Sequence, residues 1–273
     1  MPFTNAQLAR YSRNILLEGV GPRGQMKLMQ AKVLVIGAGG LGAPAMLYLA
    51  TAGVGTIGVA DADLVDVSNL QRQIIHTTAS VGRPKVDSAV KAIEAVNPDV
   101  KVNRHYEYVM ADGVMDLIAG YDFVIDATDN FPAKFLINDA CVIAKKPFCH
   151  AGILGFEGQV MTWTPSAPKH PRLPCYRCVF KSPPPKDAVP STAEAGVLGT
   201  LAGIVGSIQA TEALKYILGI GELLTGRVLT VNALTMEFRT VHLAHSDPNC
   251  PVCGRNPTIT KPVDPFDMWF PII

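Results

Sequence analysis

Charge and aromatic side chains are both thin in this 273-residue chain. Charged residues make up 17% and aromatic residues 7%, and 24 Lys and Arg are balanced by 23 Asp and Glu to a net charge of +1. So neutral a chain has no global attraction for nucleic acid or an anionic membrane, and any grip on a polyanion must come from a local cluster. Six cysteines are too few for a disulfide scaffold. The start, Met1-Pro2-Phe3-Thr4-Asn5, lacks a charged region followed by an apolar one. No signal peptide is therefore expected, and the expected location is cytoplasmic. Scarce charge does not mean disorder here, because 48% of residues are apolar. The length suits one large α/β domain whose core needs no covalent staples.

What is present begins with an uncharged run between Lys32 and Asp61, long enough to span a bilayer. Its content argues for soluble elements instead. Val33-Leu34-Val35-Ile36 is a β-branched strand, Gly37-Ala38-Gly39-Gly40-Leu41-Gly42 a glycine turn, and a helix-like segment runs to Ala52 before another apolar strand. A spanning helix broken by these glycines and Pro44 would leave backbone groups unsatisfied in lipid. Residues 4–30 read as helical. A second helix of the alternating part is expected from Pro84, burying Val86, Ala89, Ile93 and Val96 and stopping at Asn97-Pro98. Val100 and Val102 mark a short strand, Tyr121–Asp126 a buried one, Phe131–Lys145 a helix and Pro147–Ala151 another strand. This βαβα order predicts a Rossmann-like, mostly parallel sheet with helices on both faces. Beyond residue 151, the segments 158–164, 227–232 and 237–243 read as antiparallel strands extending it. Eight prolines between Pro165 and Pro190 predict a long exposed loop. A long apolar helix, Val197–Leu218, should end at Gly219.

The glycine turn fits G-x-G-x-x-G between a strand and a helix. Such glycines let the backbone approach a phosphate at a helix N-terminus, and Asp61, about twenty residues on at the next strand's end, is placed to bond a ribose hydroxyl. The motif says nucleotide without saying which. A polar run, Asp63, Asp66, Ser68, Asn69, Leu70, Gln71, Arg72 and Gln73, follows that strand; Lys85 sits in the first turn of the next helix, and Asp129-Asn130 follow the strand ending at Ala127. Ligands of open parallel sheets bind outside the carboxyl ends of the strands. Asn69, Arg72, Lys85 and Asp129 should therefore converge with the glycine loop, a set that suits a triphosphate with Mg²⁺ better than hydride transfer.

Taken together, Gly37–Gly42, Asp61-Ala62-Asp63, Ser68–Gln73, Gly82-Arg83-Pro84-Lys85, Asp126–Asn130 and Arg10-Tyr11-Ser12-Arg13-Asn14 resemble the ubiquitin-activating-enzyme superfamily. The similarity is strongest to its prokaryotic branch of adenylyltransferases for molybdopterin synthase and thiamine biosynthesis (MoeB, ThiF and HesA), from about residue 4 to about residue 258. The resemblance implies binding of Mg·ATP and of the C-terminal Gly-Gly tail of a small ubiquitin-like sulfur carrier. The tail carboxylate would attack the α-phosphate and release pyrophosphate, with the molybdopterin-synthase small subunit favoured over the thiamine carrier. It further implies that Gly37, Gly39, Gly40, Gly42, Asp61, Asp63, Ser68, Asn69, Leu70, Gln71, Arg72, Lys85, Asp129 and Asn130 hold the nucleotide. Arg13, Arg72, Lys85 and Asp129 would be catalytic, Asp129 through magnesium and Arg13 by reaching the partner subunit's ATP in a homodimer. The nucleotide part would cover about 30–152, the carrier-binding part with its crossing loop about 153–258, and a tail 259–273.

Cys175-Tyr176-Arg177-Cys178 and Cys250-Pro251-Val252-Cys253 form two C-x-x-C pairs. Four thiolates suit a closed structural zinc site, and the resemblance supports zinc; a thioredoxin-like redox pair is the rival, disfavoured because neither pair is expected to open a helix after a strand. Cys141 and Cys149 read as buried small hydrophobes. Where many relatives carry a cysteine that links covalently to the carrier, this chain has Thr192, so adenylation without that intermediate is expected. No rhodanese-like segment is seen before Ile273, and sulfur is expected from a separate donor protein. The apolar tail Asp264–Ile273 is expected to dock on its own subunit or the partner. The rivals to this reading are an NAD-dependent oxidoreductase and a non-catalytic partner subunit of the same superfamily.

Overall fold

The computed structural model describes residues 3–165, 172–185, 188–190, 192–243 and 245–264, without the side chains of residues 192 and 193. The uncharged run folds as strand β1 (Lys32–Ile36), helix α3 (Gly42–Ala52) and strand β2 (Thr56–Ala60), the first turn of a doubly wound sheet. Helix α4 (Lys85–Val96), β3 (Lys101–His105), α5 (Val114–Ala119), β4 (Phe123–Asp126), α6 (Phe131–Ile143) and β5 (Phe148–Leu154) continue it. The order β3-β2-β1-β4-β5 is parallel throughout, and β6 (Glu157–Trp163), β7 (Arg227–Asn232) and β8 (Glu237–His242) extend it antiparallel into one eight-stranded sheet. The expected mostly parallel sheet with antiparallel additions is present, with β7 on the residues expected and β8 one residue shorter.

Period-two alternation explains why both faces are covered. Val33, Val35, Phe123 and Ile125 point into a core shared with α3, α4 and the long α9 (Gly199–Leu218), while Leu34, Ile36 and Val124 point into a second core with α5 and α6. Helix α9 ends at Gly219 in the left-handed conformation, as expected. Cys141 and Cys149 are fully buried. Among the described residues no helix is long and apolar enough to cross a membrane.

Four expectations need correction. The helical stretch at residues 4–30 is two helices, α1 (Asn5–Ile15) and α2 (Gly21–Gln30). Gly19, between them, and Gly21, where α2 begins, both take positive φ, which a continuous helix cannot pass through. Pro84 is not the first helical residue but the cap, at ψ 133°, and α4 starts at Lys85. Val96 is only half-buried. The proline-rich loop is not wholly exposed: helix α7 (Tyr176–Phe180) lies inside it with Cys175, Tyr176 and Arg177 buried, and a short α8 (Thr192–Ala195) follows. Residues 166–171 and 186–187 of that loop, the Thr192 side chain and tail residues 265–273 lie outside the described residues. Asp264, where the apolar part of the tail begins, accepts a hydrogen bond from the Ala111 N–H at 2.8 Å.

Candidate functional site

A cavity of about 1020 Å³ opens at the carboxyl ends of the parallel strands, where the strand order reverses between β1 and β4. That reversal is where open α/β sheets bind ligands. Of the residues singled out from sequence, Gly37, Gly39, Gly40, Asp61, Asp63, Arg72, Lys85, Asp129 and Asn130 line it. Gly42, Ser68, Asn69, Leu70, Gln71 and Arg13 do not.

The glycines divide by physical role. Gly37 sits at φ +100°, and a Cβ there would lie 2.7 Å from the Ala127 carbonyl oxygen. A Cβ on Gly42 would lie 1.9 Å from the Gly37 oxygen, so this glycine lets α3 close onto its own loop. Gly39 has room, with its nearest neighbour at 3.6 Å, and faces the cavity. No side chain caps the N-terminus of α3; the Ala43 N–H bonds the Gly39 carbonyl at 2.9 Å and Pro44 has no N–H, so it is the Gly42 N–H and the helix dipole that remain for an anion.

Asp61 is held by its own loop: it accepts hydrogen bonds from the N–H groups of Ala38 (2.7 Å) and Asp63 (2.8 Å). Burial raises its pKa, while Lys85 and those two N–H groups oppose the shift. Lys85, at the start of α4, pairs with Asp63 at 2.7 Å, and its side chain is only 8% exposed. Arg72 donates to the Ser68 carbonyl at 3.1 Å. Ser68 and Asn69 are occupied in building that turn: the Ser68 hydroxyl donates to Asp66 at 2.6 Å, and Asn69 Oδ1 accepts from the Asp66 N–H at 3.3 Å. They frame the arginine without lining the cavity. Asn130 caps α6, accepting from the Ala133 N–H at 2.9 Å, and leaves Asp129 exposed at the cavity mouth with no partner among the described residues. Arg13 is exposed on the last turn of α1.

Sequence reasoning missed a buried group beneath this cavity. Asp126 ends β4 and is 1% exposed. Its carboxylate accepts from Thr128 Oγ1 (2.6 Å), from Lys134 Nζ (3.3 Å) and from His150 Nδ1 (3.0 Å). Burial alone would favour the acid form, but Lys134, His150 and Thr128 outweigh it and hold the carboxyl well below the usual range. Burial, with Lys134 adding to it, lowers the pKa of His150. The neutral ring must then carry its proton on Nδ1 to face the carboxylate, and Nε2 is buried without a partner among the described residues. His76 supports the glycine loop in the same manner, its Nε2 2.9 Å from the Ala38 carbonyl oxygen. The signal for Lys134 was available as a lone cation inside the apolar helix Phe131–Ile143.

The cysteine pairs meet. Four sulfurs lie within 4.8 Å of one another, with Cys175–Cys178 at 3.9 Å, Cys175–Cys250 at 3.7 Å and Cys178–Cys253 at 3.3 Å. Tetrahedral thiolates about 2.3 Å from a zinc ion stand about 3.8 Å apart, so the cluster is shaped to hold such an ion. Contrary to expectation Cys175 does open a helix, as the N-cap of α7, but its partners across the cluster come from the other pair. The α7 segment is bound to α6: Arg177 makes two 2.7 Å hydrogen bonds to Asp139 and stacks on Phe135, and the Tyr176 N–H donates to Asn138. Tyr176 also lines the cavity.

Comparison with known proteins follows the same lines. The ThiF family model matches residues 11–252. The chain is 46% identical over 269 residues to a sulfur carrier protein adenylyltransferase of Thermus thermophilus, covering 97% of each. It is 48% identical to the SAMP-activating enzyme E1 of Haloferax volcanii, over 91% of this chain and 89% of that protein. It is 49% identical to the probable adenylyltransferase/sulfurtransferase MoeZ of Mycobacterium tuberculosis, over 90% of this chain but 62% of that protein. In fold it resembles E. coli MccB, whose structure with ATP aligns at a TM-score of 0.75 and 22% identity, over 90% of this chain and 73% of that one.

Proposed function

This chain belongs to the ThiF family, and from that premise we propose that it activates the C-terminal Gly-Gly carboxylate of a small ubiquitin-like sulfur carrier by adenylation. It is an enzyme, an adenylyltransferase. The carrier favoured is the molybdopterin-synthase small subunit, with the thiamine carrier next. One observation carries the reading: an uncapped helix N-terminus, a ribose-side carboxylate, the cations Arg72 and Lys85 beside the glycine loop and an exposed carboxylate share one cavity, which continues past β5 along β6.

In this reading Asp61 holds the ribose hydroxyls, and the Gly39–Gly40 backbone takes the phosphates. Arg72 spreads charge over phosphate oxygens, and Lys85, held by Asp63, adds a point charge. Asp129 is a hard oxygen donor at the cavity mouth, the ligand type magnesium takes. Bound there, magnesium would neutralise phosphate charge. The carrier carboxylate is already ionised, so no protein base is needed: a carboxylate oxygen bonds to the α-phosphorus as the bond to pyrophosphate breaks. Catalysis is then positioning and charge neutralisation. With Thr192 where many relatives carry cysteine, no covalent carrier intermediate forms there, and a separate donor supplies sulfur. The Cys175/Cys178/Cys250/Cys253 cluster holds a structural zinc with no open position. Arg13 faces the partner's nucleotide in a homodimer.

The test is ATP–pyrophosphate exchange with Mg²⁺ across a panel of Gly-Gly-ending carriers. Exchange that requires one carrier and is lost in Asp129→Ala supports the reading. Binding of ATP with no exchange for any carrier favours a non-catalytic subunit. Binding of NADH in place of ATP would favour an oxidoreductase.

A further inference from the structure

We infer that Lys134 is the cation that receives the carrier's terminal carboxylate, an inference that rests on the adenylation reading above. Among the described residues that line the cavity, the cations are Arg72, Lys85 and Lys134. The first two stand beyond β2, on the glycine-loop side. Lys134 stands apart from them, at the seam where the nucleotide half meets β5. Its Nζ is fixed by two acceptors, the Asp126 carboxylate at 3.3 Å and the Ala151 carbonyl at 2.6 Å. An ammonium has three N–H donors, so one remains, and the residue lines the cavity while only 6% exposed.

The supports of this ammonium are themselves braced. Asp126 is also bonded by Thr128 and His150, and its carbonyl accepts from Gln209 at 2.7 Å. The cation is thus pre-oriented in a nearly dry wall, where a charged contact is stronger than in water and costs no reorganisation as the reaction proceeds. The wall beyond it, Gly152 to Gly158, contributes no cation, and its one carboxylate, Glu157, would repel an incoming anion. An anionic tail entering along β5–β6 therefore meets Lys134 as its counter-charge. As the carboxylate oxygen bonds to the α-phosphorus and pyrophosphate departs with the electron pair, the same N–H stays within reach of the acyl oxygen, and no proton moves.

The experiment uses the full chain with a carrier that supports wild-type exchange. It compares Lys134→Gln, Lys134→Arg and the double variant Lys134→Met/Asp126→Asn, which removes both charges of the buried pair and so avoids leaving one stranded. ATP affinity is measured without carrier. Carrier affinity is measured with tails ending in carboxylate and in carboxamide. We expect Lys134→Gln to lower exchange about 100-fold or more, Lys134→Arg to recover most of it, and ATP affinity to stay within about threefold. Wild type should prefer the carboxylate tail, and Lys134→Gln should not. If Lys134→Gln does not fold, the double variant decides on the same readouts. Exchange within about threefold of wild type, or an unchanged preference for the carboxylate tail, overturns the inference and leaves the adenylation reading standing. Absence of exchange in wild type with every carrier overturns both.

Discussion

Alanine substitutions at three glycines separate the two meanings of a glycine-rich loop. A Cβ on Gly42 would stand 1.9 Å from the Gly37 carbonyl oxygen, whereas real Cβ atoms essentially never come within 3.0 Å of a neighbour. Loop and helix would have to part by about 1 Å, against backbone on one side and the buried Val35 on the other. Overpacking of this kind costs about 1–3 kcal/mol. For a chain of this size that is a fall of about 2–12 °C in Tm. A displacement of about 1 Å in the phosphate cradle should also cost about 100-fold in turnover. Gly39→Ala differs, because its nearest neighbour would be 3.6 Å away and the new methyl group would point into the cavity. Here Tm should hold and ATP affinity should drop about tenfold or more, since the backbone can no longer approach the phosphates. Gly113, with nothing within 4 Å and no positive φ, is the control and should change neither. Thermal unfolding without nucleotide and an ATP titration read the two effects. The reasoning is refuted if Gly39→Ala and Gly42→Ala lose stability alike, or if Gly42→Ala melts and binds as wild type does.

Cys250→Ser should strip bound zinc from one equivalent per chain towards none and lower Tm by several degrees, since metal binding is coupled to folding in such sites; metal analysis beside thermal unfolding checks it, and full zinc retention would contradict the cluster's assignment. Both His76 and His150 have folded pKa values below the ordinary range, chiefly through burial, so the unfolded chain binds more protons in the window below about pH 6.5. Stability should therefore rise with pH through that window and be lost as pH falls from 7 towards 5, with a smaller slope in His150→Gln; Asp126, held low, loses its contribution only at still lower pH, beneath its unfolded value of about 3.9. Asp61, whose pKa burial raises, titrates in the opposite sense, so the comparison decides: a His150→Gln variant whose Tm falls as steeply on acidification as that of wild type would sink this assignment. Arg13→Ala and Asp129→Ala should each be inactive alone, yet equal mixing under conditions that exchange subunits should restore about a quarter of wild-type exchange, because half the dimers are mixed and each holds one intact composite site. No recovery would place Arg13 outside the partner's site.

How far the sequence spoke depended on whether the relevant physics was local. Val33 to Ile36 read as a strand buried on both sides because every residue is apolar, and the structure sends alternate side chains into two cores. The break between α1 and α2 turns on left-handed conformations at Gly19 and Gly21, which glycine permits but does not demand, so composition alone could not place it. The buried Asp126–Lys134–His150 group was missed for a different reason. Its bonds join residues 8 and 24 positions apart, across a strand end, a helix and the next strand, and no short motif records such a meeting.

The polar run Ser68–Gln73 marks the subtler gap between a motif and a contact. Every member looked like a ligand-facing residue from its sequence position. In the fold Ser68 and Asn69 spend their side chains on the Asp66 turn, and only Arg72 and Gln73 of the run reach the cavity wall. The turn nevertheless decides where Arg72 stands, since the guanidinium donates back to the Ser68 carbonyl four residues earlier. Removing the Ser68 hydroxyl would therefore act on the nucleotide only through Arg72. Its effect on ATP affinity should vanish in an Arg72→Ala background, where a direct phosphate ligand would keep its own.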